Sequence, residues 1–174
     1  MNINGKLFVT KIILEKDKIE QFNNYPFNIE LIKNFTELNL TSPVTFLIGE
    51  NGVGKSTFIE GLAIALDLNP EGGTQNFMFS SKDTHSNLHQ FIKVNHFQRM
   101  CKTKFFLRAE SFYNFAFEVD KLGVSGYGKT SLHSCSHGES FLQLVQNRFT
   151  KDGLYILDEP EAALSPQRQM SYFV

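Results

Sequence analysis

The spacing of apolar residues changes several times along the chain, and each change marks an element. Residues 7–14 carry Phe8, Val9, Thr10, Ile12 and Ile13, a β-branched run that predicts a strand. Residues 27–32 follow the Pro26 turn and are expected to continue the same sheet. After Pro43, the run Val44, Thr45, Phe46, Leu47 and Ile48 is short and does not alternate, the pattern of a strand buried on both faces. Over residues 55–68 the period becomes helical, with Phe58, Ile59, Leu62, Ala65 and Leu66 on one side.

Residues 69–104 are polar, open with Pro70 and Gly72-Gly73, and hold one weak helical stretch at 88–94, which predicts an excursion away from the sheet. Residues 104–108 are the next strand candidate, 114–119 fit helix or strand, and 123–129 are a glycine-rich loop. A helix is expected over 139–149 through Phe141, Leu142, Leu144 and Val145, and a last buried strand over 153–157. Buried strands alternating with helices indicate an α/β fold, and 174 residues suit one domain over 1–174.

The loop between the second strand candidate and its helix reads Gly49-Glu50-Asn51-Gly52-Val53-Gly54-Lys55-Ser56, which satisfies GxxxxGK[ST]. Its glycines let backbone N–H groups converge on phosphate oxygens, the following helix points its positive end at them, Lys55 neutralises charge and the Ser56 hydroxyl is placed for Mg²⁺. Gly123-Val124-Ser125-Gly126-Tyr127-Gly128-Lys129-Thr130 fits the same pattern, but no buried strand precedes it and no helical period follows, so it reads as a hairpin or linker. The last strand ends in Asp158-Glu159-Pro160. Ligands of open α/β sheets sit at the carboxyl ends of strands, so Asp158 is a candidate for Mg²⁺ and Glu159 for polarising an attacking water.

GENGVGKST (49–57), SHGES (136–140) and LYILDEPEAALSPQRQ (154–169), with the flanking EGGTQNFMFSSKDTHS and FFLRAESFYN, together resemble the ABC-type ATPase superfamily, specifically the small soluble bacterial AAA-family ATP-binding proteins related to it. The likeness covers most of the chain and implies a P-loop NTPase fold, with a parallel core sheet flanked by helices and an N-terminal antiparallel β portion. It also implies Mg-dependent ATP hydrolysis. Gly49, Glu50, Asn51, Gly52, Val53, Gly54, Lys55, Ser56 and Thr57 would bind ATP, Ser56 and Asp158 the Mg²⁺, and Glu159 with Lys55 would be catalytic. SHGES stands where the superfamily has its LSGGQ signature, retaining Ser136 and Gly138 and lying 22 residues before Asp158. The implied assembly is an ATP-dependent homodimer in which Ser136 and Gly138 reach the partner's nucleotide, a dimeric switch acting on an unknown effector protein.

The chain also departs from that pattern. Ala162-Ala163-Leu164-Ser165 replaces the SALD of transporters, and Glu110 is the match by place for the glutamine-loop residue. No histidine follows His137, so the strand carrying the superfamily's switch histidine has no counterpart. The expectation is a C-terminally shortened chain that binds ATP more readily than it turns it over. The rival readings are the nucleotide-binding subunit of an ABC transporter with a membrane partner, a DNA-maintenance or anti-phage module, and a truncated ATP-binding protein without turnover.

Composition narrows these choices. Seventeen Lys+Arg against eighteen Asp+Glu leave a formal charge of -1, so nucleic acid is not indicated as a partner. Two cysteines, Cys101 and Cys135, make a disulfide framework improbable; with no apolar run near the ~18 residues of a membrane helix, the sequence predicts a soluble, cytoplasmic protein. His85 and His89 stand four apart without a third ligand at metal spacing, and read as surface residues. Tyr25 or Phe27 could stack on adenine, although packing is the commoner use of an aromatic. Arg108 and Lys129 default to solvated charges.

Overall fold

The computed structural model describes residues 7–73, 85–96, 101–121 and 137–163. The chain divides into two compact units, Met1–Pro70 with Lys82–Lys102, and Glu71–Ser81 with Thr103–Val174.

The first unit is built on a three-stranded antiparallel sheet, β1 (Val9–Leu14), β2 (Glu37–Asn39) and β3 (Ile92–His96), in the order β2-β1-β3. Central β1 buries Val9, Ile12 and Leu14, while Lys11 on its other face pairs with Glu37 of β2 at 2.7 Å. Helices α1 (Glu30–Asn34) and α2 (Lys55–Ala65) complete the unit. Its core holds Ile12, Ile32, Phe58 and Leu88, with Phe35 against Phe58 at 4.7 Å and Phe27 edge-on to Phe91 at 5.0 Å. Gly61 lets α2 approach the 3-10 turn Asn87–Phe91 closely: a Cβ there would sit 3.0 Å from Leu88 Cδ2.

Three sequence expectations change in this unit. Residues 27–32 do not continue the sheet: Asn28 N–H donates to Asn24 O and Lys33 N–H to Ile29 O, so the chain turns into α1 and Ile32 is wholly buried. A short apolar run fits either period, and here the helical one wins. Residues 69–104 do not leave the sheet throughout, because β3 pairs with β1 (Ile12↔Val94, Leu14↔Ile92); the two-residue alternation of Ile92 and Val94 was hidden inside an apparent helical stretch. Residues 44–48 form no strand: Phe46 is 71% and Ile48 93% exposed. A strand exists only with a partner to complete its hydrogen-bond ladder, and an apolar run by itself cannot supply one.

The second unit has a parallel pair, β4 (Thr103–Arg108) and β5 (Gly153–Asp158), in unbroken register from Thr103↔Gly153 to Arg108↔Asp158. Gly73 exchanges two backbone hydrogen bonds with Phe106, at 2.8 and 3.0 Å, on the other edge of β4. Phe105, Phe106 and Leu107 are buried in succession, as expected of a strand covered on both faces. Helices α3 (Phe112–Lys121) and α4 (His137–Arg148) pack over Phe105 through Phe112, Phe115, Val119, Phe141 and Leu144, with Phe105 edge-on to Phe115 at 5.6 Å. Tyr155 stacks on Phe149 at 4.0 Å, and its hydroxyl lies where a Cβ on Gly153 would intrude, which explains the glycine at the start of β5.

Candidate functional site

The loop 49–56 belongs to the first unit. Gly54 is the N-cap of α2, in a left-handed conformation with φ +103°, and a Cβ on it would lie within 2.3 Å of Ile29 Cγ2. Both the turn and the packing therefore demand glycine. Gly52 is also left-handed, at φ +81°, but faces open space, so only its conformation constrains it. Lys55 opens α2, and its ammonium donates to Gly49 O and Glu50 O, both at 2.8 Å, fastening the loop from within. The first turn of α2 carries no acid, and the first backbone bond of the helix runs from Phe58 N–H to Gly54 O at 3.0 Å. Ser56 and Thr57 are half-buried in that turn, and Glu50 and Asn51 are exposed beside it, with Val53 half-buried. A helix N-terminus and one ammonium stand together here, two of the features a polyphosphate site uses.

The acids belong to the second unit. Asp158 ends β5 and is buried, whereas Glu159 is exposed and adopts φ 50°, left-handed for a residue with a side chain. Arg108, the register partner of Asp158, reaches it through Nε at 3.9 Å and reaches Glu110 through Nη2 at 3.3 Å. Arg108 is thus no solvated charge, and Glu110 is its exposed second partner. Sequence spacing could not reveal this trio, because parallel register creates it.

The remaining candidates separate clearly. Gly138 is buried in the first turn of α4, while Ser136, Cys135, Lys129, the 123–130 pattern and residues 164–165 lie outside the described residues. Tyr25 is exposed, and Phe27 is core packing against Phe22 and Phe91. His89 Nδ1 donates to Ser86 O at 3.1 Å. Among the described residues, no three His, Cys, Asp or Glu side chains gather into a metal site, and no helix is long and apolar enough to cross a membrane.

A profile of the AAA domain family matches residues 18–122, more than half of the chain. The chain belongs to the AAA domain family. That membership, with the mixed α/β fold and its parallel strand pair, makes it a P-loop NTPase-like, nucleotide-binding ATPase domain. The match includes the loop 49–56, α2, β4 and α3, and stops short of α4 and the acids that end β5. Neither a curated protein nor a solved structure matches the sequence.

Proposed function

We propose that this AAA-domain chain is an ABC-like ATPase, a single domain over 1–174 that converts ATP and water to ADP and phosphate. The observation that carries the reading is the loop 49–56, where Gly54 caps α2 in a conformation reserved for glycine and Lys55 is held at the mouth. When triphosphate enters, the Lys55 ammonium exchanges Gly49 O and Glu50 O for phosphate oxygens, and the first turn of α2 donates its N–H groups to the same anion.

The donor set suits Mg²⁺. This hard ion takes one or two protein oxygens and completes its shell with phosphate and water, which agrees with a hydroxyl and a carboxylate as donors. Ser56 and Asp158 would hold it, and it would supply neutralisation of charge developing between the β- and γ-phosphates. Glu159, exposed and held at φ 50°, orients the attacking water and accepts its proton. Gly138, in the first turn of α4, and Ser136 would meet the nucleotide of a second copy, so that ATP closes a dimeric switch and hydrolysis releases it.

Lys55→Ala removes the cation of the loop, and fluorescent ATP titration should show affinity falling about a hundredfold or more. Unchanged Mg-ATP affinity in that variant would defeat the assignment. Glu159→Gln should bind ATP normally and stop turnover. In sedimentation velocity it should pass from monomer to dimer only when Mg-ATP is added; a monomer under both conditions would sink the dimeric switch while leaving ATP binding intact.

A further inference from the structure

Arg108 stands between two acids of unlike burial at the carboxyl ends of β4 and β5. Its Nε faces Asp158, 8% exposed, at 3.9 Å, and its Nη2 faces Glu110, 82% exposed, at 3.3 Å. The longer and looser contact is with the buried acid. A guanidinium is a rigid fork that remains charged, so it can hold one carboxylate with one edge while relinquishing another. Asp158 needs a positive neighbour when no cation is bound, since burying a carboxylate without one is costly. A divalent cation at the same carboxylate makes that neighbour a competitor, because two positive groups cannot share one buried acid cheaply.

We propose that Arg108 is a positioning residue for Asp158, a two-ended counter-ion that is handed over to Glu110 when the carboxylate takes a divalent cation. Arg108 thereby keeps Asp158 aimed before the metal arrives, and the Arg108–Glu110 contact sets how readily the metal displaces it. The inference rests on the reading of Asp158 as a metal ligand given above, and the experiment separates the two.

Mn²⁺ is titrated into the ADP-saturated protein, with the free ion counted by electron paramagnetic resonance. About 0.5 M salt shortens the screening length to roughly 4 Å and suppresses the long-range field of exposed Glu110. Asp158→Asn should lose most of the Mn²⁺ binding. Arg108→Gln should tighten it about five- to tenfold, whereas a merely structural arginine would weaken it on removal. Glu110→Gln should weaken Mn²⁺ binding about threefold in the parent and not at all in the Arg108→Gln background, the coupling expected of residues that act through one another.

If Asp158→Asn leaves Mn²⁺ binding unchanged, the metal reading of Asp158 fails and this proposal with it. If Asp158→Asn abolishes binding but Arg108→Gln weakens it or leaves it unchanged, the handover alone is wrong. Equal effects of Glu110→Gln in both backgrounds also overturn it. Should Arg108→Gln fail to fold, Glu110→Gln at its exposed site still decides: unchanged Mn²⁺ affinity in that variant refutes the handover.

Discussion

Gly54 is constrained twice, by φ +103° and by Ile29, and the two constraints can be separated. Gly54→Ala should lower ATP affinity at least about tenfold and cost roughly 1–3 kcal/mol of stability. Adding Ile29→Ala should recover the steric share and leave the conformational share, which paired urea melts and ATP titrations would resolve; complete recovery would mean that backbone conformation contributes nothing. Glu159 poses the converse case, a side chain where glycine would be easier. Glu159→Gly should gain about 0.5–1 kcal/mol in a urea melt while abolishing turnover, and Glu159→Gln should abolish turnover without the gain. Equal stability of the two variants would mean that φ 50° carries no strain. At this scale the loop 49–56 was legible as a glycine turn leading into a helix because its geometry is local, one glycine and one lysine next to a helix start. Arg108 was illegible because its role depends on the strand register that sets it opposite Asp158.

Strands and helices were legible in proportion to how far each is specified by its own residues. β4, β5, α2 and α4 follow from apolar runs and helical spacing within a residue or three of the expected bounds, and α3 resolves the helix-or-strand ambiguity at 114–119. β2, only Glu37–Asn39, has too little pattern to announce itself and exists because β1 offers it an edge. Phe105 in β4 is the best test of packing: Phe105→Ala should cost about 3–5 kcal/mol in urea unfolding, as it empties the space between α3 and α4. A cost below about 1 kcal/mol would contradict that core. The β1–β2 edge has a pH signature. The Lys11 side-chain hydrogen bond holds the Glu37 carboxyl below its ordinary value, against a smaller upward push from burial. A group depressed by folding stabilises above its unfolded pKa and stops doing so as pH falls through its folded one. The protection of the Leu40 amide, which donates to Thr10 O at 2.8 Å across the β1–β2 edge, should therefore fall, relative to the intrinsic exchange rate at each pH, on acidification below the usual carboxylate range, and Glu37→Gln should remove that dependence.

Taken whole, the molecule is an AAA domain whose family match runs from residue 18 to 122 and whose contacts fall into two units. Its switch behaviour would be read by mass, which makes every other cause of association relevant. The exposed run 44–48 is such a cause. It is uncharged and β-prone, without proline inside it, and is carried on a protein whose net charge of -1 provides little mutual repulsion. Two copies meeting along this run could build an intermolecular ladder that contains no nucleotide, so concentrated solutions should grow turbid with or without ATP. Phe46→Lys places a gatekeeping charge in the middle of the run and should clear the turbidity while leaving ATP affinity unchanged; persistent light scattering in that variant would acquit the segment. The exposed apolar run immediately before the loop 49–56 thus makes colloidal behaviour a practical condition for seeing the proposed switch, and Phe46→Lys the background in which ATP-driven pairing is best weighed.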